Sequence, residues 1–229
     1  MPDTKFSLPA LREHIRKYLW IYLIGIAFCL VGTSVLWTTT TPQPSIDETV
    51  VVFLADAYTN PEPLAPIARD MFEQTKPFDE KLKEVDFQSL MYQEDDYTST
   101  MVLLTRLSVG EGDAFLASQA AMDALVRSEA LVDLTEYVQA GWLAEYGLEP
   151  YTAEWTDEER GESYSLMAGL KLDSVTALKD MGAFFSDGAY LCVTANGGNL
   201  DTTMKALEFM MKDLTEGGYA QPENTEPAA

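Results

Sequence analysis

TVVVFLA, residues 49–55, contains no polar residue after Thr49 and three consecutive valines. A run of β-branched and apolar residues without period-two alternation is the mark of a strand buried on both faces, as in a sheet covered by helices on each side. Residues 63–75 follow, with Leu64, Ile67, Ala68, Met71 and Phe72 at helical spacing behind Pro63, a residue suited to a first helical turn because its missing amide has no partner there. The strand–helix unit then recurs. VDFQSLMY (85–92) reads as a strand, 97–109 as a helix ending at Gly110 and Gly112, AFLA (114–117) as a strand, and 119–128 as a helix with Met122, Leu125 and Val126 inward. Such alternation predicts a mainly parallel sheet covered on both faces, a three-layer α/β/α lobe.

Farther along, residues 131–160 are less regular, with a short helix in LVDLTEYVQAGWLAEY and then an acidic, aromatic segment around Trp155, and the whole stretch reads as a surface excursion. YSLMAGLKL (164–172) and AYLCVTA (189–195) are two further strands, separated by a short helix over 175–181 that Gly182 ends. Asn199 is placed to cap a last helix, in which Leu200, Met204, Leu207, Met211 and Leu214 make a core-facing stripe. From Gly217 the chain is polar and reads as a disordered tail.

In the other direction, a linker over 38–45 leads back to YLWIYLIGIAFCLVGTSVLW, residues 18–37, twenty residues without a charge. At 1.5 Å per residue this spans the roughly 30 Å core of a bilayer. Aromatic residues flank it, and Lys5, Arg12, Arg16 and Lys17 precede it, whereas TTTTPQP after it is uncharged. The positive-inside bias therefore predicts a single-pass anchor with residues 1–17 cytoplasmic and residues 46–216 an extracytoplasmic α/β domain. A cleaved signal peptide is the competing reading; the apolar run is too long for one and no A-x-A-like site follows closely. Phe28 before Cys29 rules out a lipobox.

The chain has 229 residues, with 37 acidic against 15 basic, a formal charge of −22. Four basic and two acidic residues precede position 42, so 11 basic and 35 acidic residues lie beyond it. A phosphate backbone would be repelled, which excludes nucleic acid as a partner. Glu94–Asp96 and Asp157–Glu159 lack the alternating carboxylates and turn glycine of an EF-hand loop and read as solvated faces. The outer part has no histidine, no G-x-S-x-G elbow and no P-loop, and Cys192 sits within an apolar strand. The reading is a non-catalytic protein without cofactor or metal.

In an open α/β sheet, ligands bind beyond the carboxyl ends of the strands. That rule selects Asp56, Tyr58 and Thr59 after the first strand, Tyr92 and Gln93 after the second, Ser118 and Gln119 after the third, and Asp173 and Asn196 after the later two. Tyrosines for stacking beside short polar groups suit a small polar solute or a peptide. Ordinary loop polarity and helix capping, for Asp56 above all, are the competing roles.

The stretches GEGDAFLASQAAMDALVRSEALVDLTEYV (110–138) and AYLCVTANGGNLDTTMKALEFMMKDL (189–214) resemble the extracellular solute-binding proteins of ABC transporters. The resemblance implies a periplasmic-binding-protein-like fold, capture of a solute and delivery to a membrane transporter. Members of that family have two lobes closing on the ligand, whereas residues 46–216 suffice for one. The alternative is a cell-envelope interaction or scaffold domain that has lost its ligand.

Overall fold

The computed structural model describes residues 8–40, 45–157, 162–172, 176–186, 188–195 and 198–216. The chain divides into two compact units, 1–43 and 44–229. The first holds helix α1, Leu8–Thr40, longer than the uncharged run at both ends. Its stretch Arg12–Leu36, with a mean hydropathy of 2.2, is long and apolar enough to cross a membrane. Within it the Thr33 hydroxyl donates back to the Cys29 and Leu30 carbonyls, which satisfies it inside the apolar run.

The second unit is built on one six-stranded sheet. Its strands are β1 (Thr49–Asp56), β2 (Glu84–Met91), β3 (Ala114–Ala117), β4 (Glu149–Asp157), β5 (Glu162–Lys171) and β6 (Tyr190–Val193). They lie in the order β2-β1-β3-β6-β5-β4. β1 pairs in parallel with β2 and β3, while β3–β6, β6–β5 and β5–β4 are antiparallel. The sheet is therefore mixed, with a parallel part at β2-β1-β3, and not mainly parallel as the strand–helix alternation suggested.

The helices of this unit are α2 (Ala65–Thr75), α3 (Tyr97–Ser108), α4 (Gln119–Arg127), α5 (Thr135–Gln139), α6 (Ala177–Asp180) and α7 (Leu200–Glu216). Alternate residues of β1 enter two separate cores. Val50, Val52 and Leu54 pack with Ile67 and Met71 of α2 and Met204, Leu207 and Met211 of α7. Phe53 and Ala55 pack with Leu103 and Leu107 of α3 and Met122 and Leu125 of α4. This two-sided burial is what the unbroken apolar run of β1 required, at roughly 1.5–3 kcal/mol for each large side chain fully buried. The methionines of α7 are core residues, and so is Cys192, whose thiol pKa burial pushes upward.

Residues 131–157 are not a surface excursion. Tyr137, Val138, Trp142 and Tyr146 pack on the α2/α7 core, and β4 forms a hairpin with β5 at the sheet margin. The hairpin register shifts between Tyr151 and Thr152, leaving Ala168 as the extra residue of a bulge. Gly169 follows it, where a Cβ would lie 2.6 Å from the Leu191 carbonyl oxygen. The tail expected from Gly217 onward lies outside the described residues.

Candidate functional site

From β1 the chain passes outward to β2 through α2 and returns past β1 to β3 through α3, on the opposite face. The sheet therefore has a switch point between the carboxyl ends of β1 and β3, the location favoured for ligand crevices. Because β6 runs antiparallel, its first residue, Tyr190, lies beside Ala117 at that same end, and Lys171 at the end of β5 lies beside Tyr190. One sheet edge thus gathers the segments after β1, β2, β3 and β5.

Asp56 sits at this edge, nearly fully buried. Its carboxylate accepts from the backbone amides of Ala57 (2.8 Å), Phe185 (3.0 Å) and Ser186 (2.8 Å) and from the Ser186 hydroxyl (2.8 Å). The side chain therefore fastens the segment after α6 across the end of β1, and its lone pairs are occupied by that segment. Thr59 is buried, with its hydroxyl 2.5 Å from that of Ser89 and its backbone bridged to Phe184. Tyr92 is buried, and its amide donates to the Asp56 carbonyl at 2.9 Å. The Gln93 backbone is bound on both sides by the Ser99 hydroxyl. Ser118 caps α4 by accepting from the Ala121 amide. Asp96, within the first acidic block, caps α3 by accepting from the Thr98 and Ser99 amides.

Three of the described sequence-selected residues are exposed, Gln93 with its backbone held as above, and Tyr58 and Gln119. Tyr58 is 57% exposed and lines an open cleft of about 620 Å³ with Lys179, Gly182, Phe184, Phe185 and Ser186. Gln119 belongs to a separate polar and aromatic cluster. Its amide nitrogen donates to Asp123 at 2.8 Å, and its amide oxygen accepts from the Tyr190 hydroxyl. The Tyr151 hydroxyl donates to Asp123 at 3.3 Å, and the Tyr151 and Tyr190 rings meet edge-on, 4.9 Å between centroids. Burial, and secondarily the charge of Asp123, raises the Tyr151 pKa, which keeps its phenol a neutral donor. Asp173 and Asn196 lie outside the described residues. Asn196 follows an antiparallel strand that ends with Val193 beside Ala114, so β6 carries the chain toward the opposite sheet edge.

Sequence reading missed Phe185, which is 67% exposed, along with Tyr151 and Tyr190. The signal for Phe185 was present: two aromatic residues directly before Ser-Asp-Gly place a ring at a turn. No group of three or more His, Cys, Asp or Glu side chains able to hold a metal occurs among the described residues.

Fold and edge together define an α/β domain with one mixed sheet, in a chain that also carries an N-terminal apolar helix. No protein-family model matches the chain, and neither a curated protein nor a solved structure matches it significantly.

Proposed function

We propose that the protein is a membrane-anchored binding protein, its apolar helix spanning the membrane with the N-terminus cytoplasmic. The α/β unit then captures a small polar solute or a peptide outside the cell for a membrane transporter. The observation that carries this reading is the cleft walled by Tyr58 and Phe185 at the sheet edge where β1 ends. Two large rings held in solvent lose apolar shielding that a stacked ligand restores, and a volume of about 620 Å³ is that of a small-molecule site. Asp56 holds the Phe185–Ser186 segment in place before any ligand arrives, which reduces the ordering cost of binding.

The test is a thermal-shift screen of the full chain, in zwitterionic nanodiscs, against pools of sugars, amino acids and short peptides. A ligand at 100 times its Kd adds about 2.7 kcal/mol, a shift of several degrees at this size. The expected outcome is a hit lost in both Tyr58→Ala and Phe185→Ala. A flat screen of folded protein, or a hit that survives both substitutions, overturns the assignment of the cleft.

A further inference from the structure

The outer face of α3 departs from the ordinary pattern of a surface helix. Ser99, Leu103 and Leu107 are buried beneath it, which at 100° per residue leaves Tyr97, Met101, Val102, Leu104 and Val109 on the solvent side with Thr98, Thr105 and Ser108 between them. No charge falls on that arc, whereas the solvent side of an amphipathic helix is normally its charged side. Arg106 is the single charged residue from Tyr97 to Val109, and it is turned aside, over the Phe53 ring and paired with Glu111 at 2.6 Å. Among the described residues from 45 onward, half of the exposed large apolar side chains lie between Tyr97 and Val109.

The surroundings of this patch are acidic. Glu94, Asp95 and Asp96 stand at the amino end of α3 and Glu111 beyond its carboxyl end, all exposed. Glu84 and Asp86 alternate with the residues β2 sends into the α2/α7 core, so they lie on the α3 side of the sheet margin. An uncharged apolar centre with an anionic rim has the anatomy of a protein interface. Two copies docked through this face would bring like-charged rims together, and an anionic leaflet would be repelled by the same carboxylates.

We infer that the outer face of α3 docks a basic amphipathic helix of a partner protein, its apolar stripe on Tyr97, Met101 and Leu104 and its Lys or Arg residues against the surrounding carboxylates. α3 is 12 residues, so the contact is about 18 Å long and takes about three turns of the partner. This inference is independent of the cleft, since none of its residues lines it.

The probe is a fluorescent 14-residue leucine/lysine amphipathic peptide, titrated against the full chain in zwitterionic nanodiscs with empty discs subtracted, beside a leucine/glutamate peptide of the same pattern. The expected result is saturable binding of the lysine peptide alone. Binding should weaken at least tenfold in Met101→Ser/Leu104→Ser, which changes no charge, and severalfold in Glu94→Gln/Asp95→Asn. Val102→Ser/Val109→Ser, on the same arc, supplies a second uncharged test, and circular dichroism establishes that each variant is folded. Equal binding by the uncharged variants would reduce the effect to bulk attraction for an acidic protein and overturn the inference. So would equal binding of the glutamate peptide, or a dimer of the full chain that Met101→Ser/Leu104→Ser dissociates.

Discussion

Asp113→Asn should stabilise the protein at neutral pH and leave it unchanged in acid. Asp113 precedes β3 at the edge of the sheet opposite the cleft and is only 3% exposed. One carboxylate oxygen accepts from the Val51 amide at 2.8 Å; the other is buried without a hydrogen-bond partner. Burial, opposed only in part by the Val51 amide, pushes its pKa from 3.8 up to about 6. The folded state therefore holds this proton more tightly than the unfolded chain does. The contribution to stability is fully present below about pH 4 and is lost as pH rises through about 6. At roughly 1.36 kcal/mol per pH unit, the loss at pH 7 is about 3 kcal/mol. A carboxamide also accepts from Val51 and carries no charge, and like the neutral carboxyl it leaves one polar atom unmatched. The variant should match wild type below pH 4 and exceed it by up to about 3 kcal/mol at pH 7, or roughly 6–12 °C in Tm for a unit of this size. The assay is thermal unfolding of both full-length chains in one detergent from pH 4 to pH 7.5, read as the difference. Asp213 is shifted upward as well, by burial and then by Asp70, whereas Glu48, Asp79 and Asp133 are shifted downward by their hydrogen-bond partners; subtraction cancels all four. A difference independent of pH, or a variant less stable at pH 7, would refute the burial argument.

Two further substitutions probe the frame around the sheet. Gly112→Ala places a Cβ 2.5 Å from Phe53 Cδ2 at a φ of +91° and should cost about 2–4 kcal/mol, while Gly141→Ala, at φ +92° with open space around it, should cost only about 1 kcal/mol; equal losses in chemical denaturation would dismiss the Phe53 contact. Asp56→Ala leaves the Phe185 and Ser186 amides without their acceptor and should cost about 2–3 kcal/mol, with rapid chymotryptic cleavage after Phe184 or Phe185; unchanged proteolysis would show that the segment holds without it.

The periodicities that were strong in the sequence located their elements closely. β1 differs from its reading by one residue, β3 coincides with it, and α3 ends one residue before the predicted limit. Strand direction was harder to read. β5 has ten residues, about 33 Å, whereas the helix read after it has seven, about 10 Å, too short to return the chain to the start of a parallel neighbour. The helix alone therefore gave no support for a parallel β6, and the structure pairs β6 antiparallel to both β3 and β5. β4 was hidden by composition: Tyr151, Ala153 and Trp155 alternate with Thr152, Glu154 and Thr156, a strand pattern overshadowed by the acids that follow.

The strand-end rule located the edge, and the structure redistributes the chemistry along it. A carboxylate or hydroxyl at the end of a buried strand lies where water is scarce, so nearby backbone amides compete for it, and an internal donor costs less order than a ligand brought from solution. Asp56, Ser118 and Thr59 have all been taken in this way. Rings have no such internal claimants, since a phenyl or phenol face is satisfied only by contact, and Tyr58 and Phe185 have none on their outer sides. The described groups left to meet a ligand are therefore aromatic faces with Lys179 at the rim and, among the described lining residues, no carboxylate for a strongly cationic solute, a surface that selects for planar or pyranose-like apolar faces. In the screen, neutral sugars and aromatic peptides should rank above basic amino acids even though the domain as a whole is acidic. The reverse order would mean that the net charge of the domain, and not the cleft, governs what it binds.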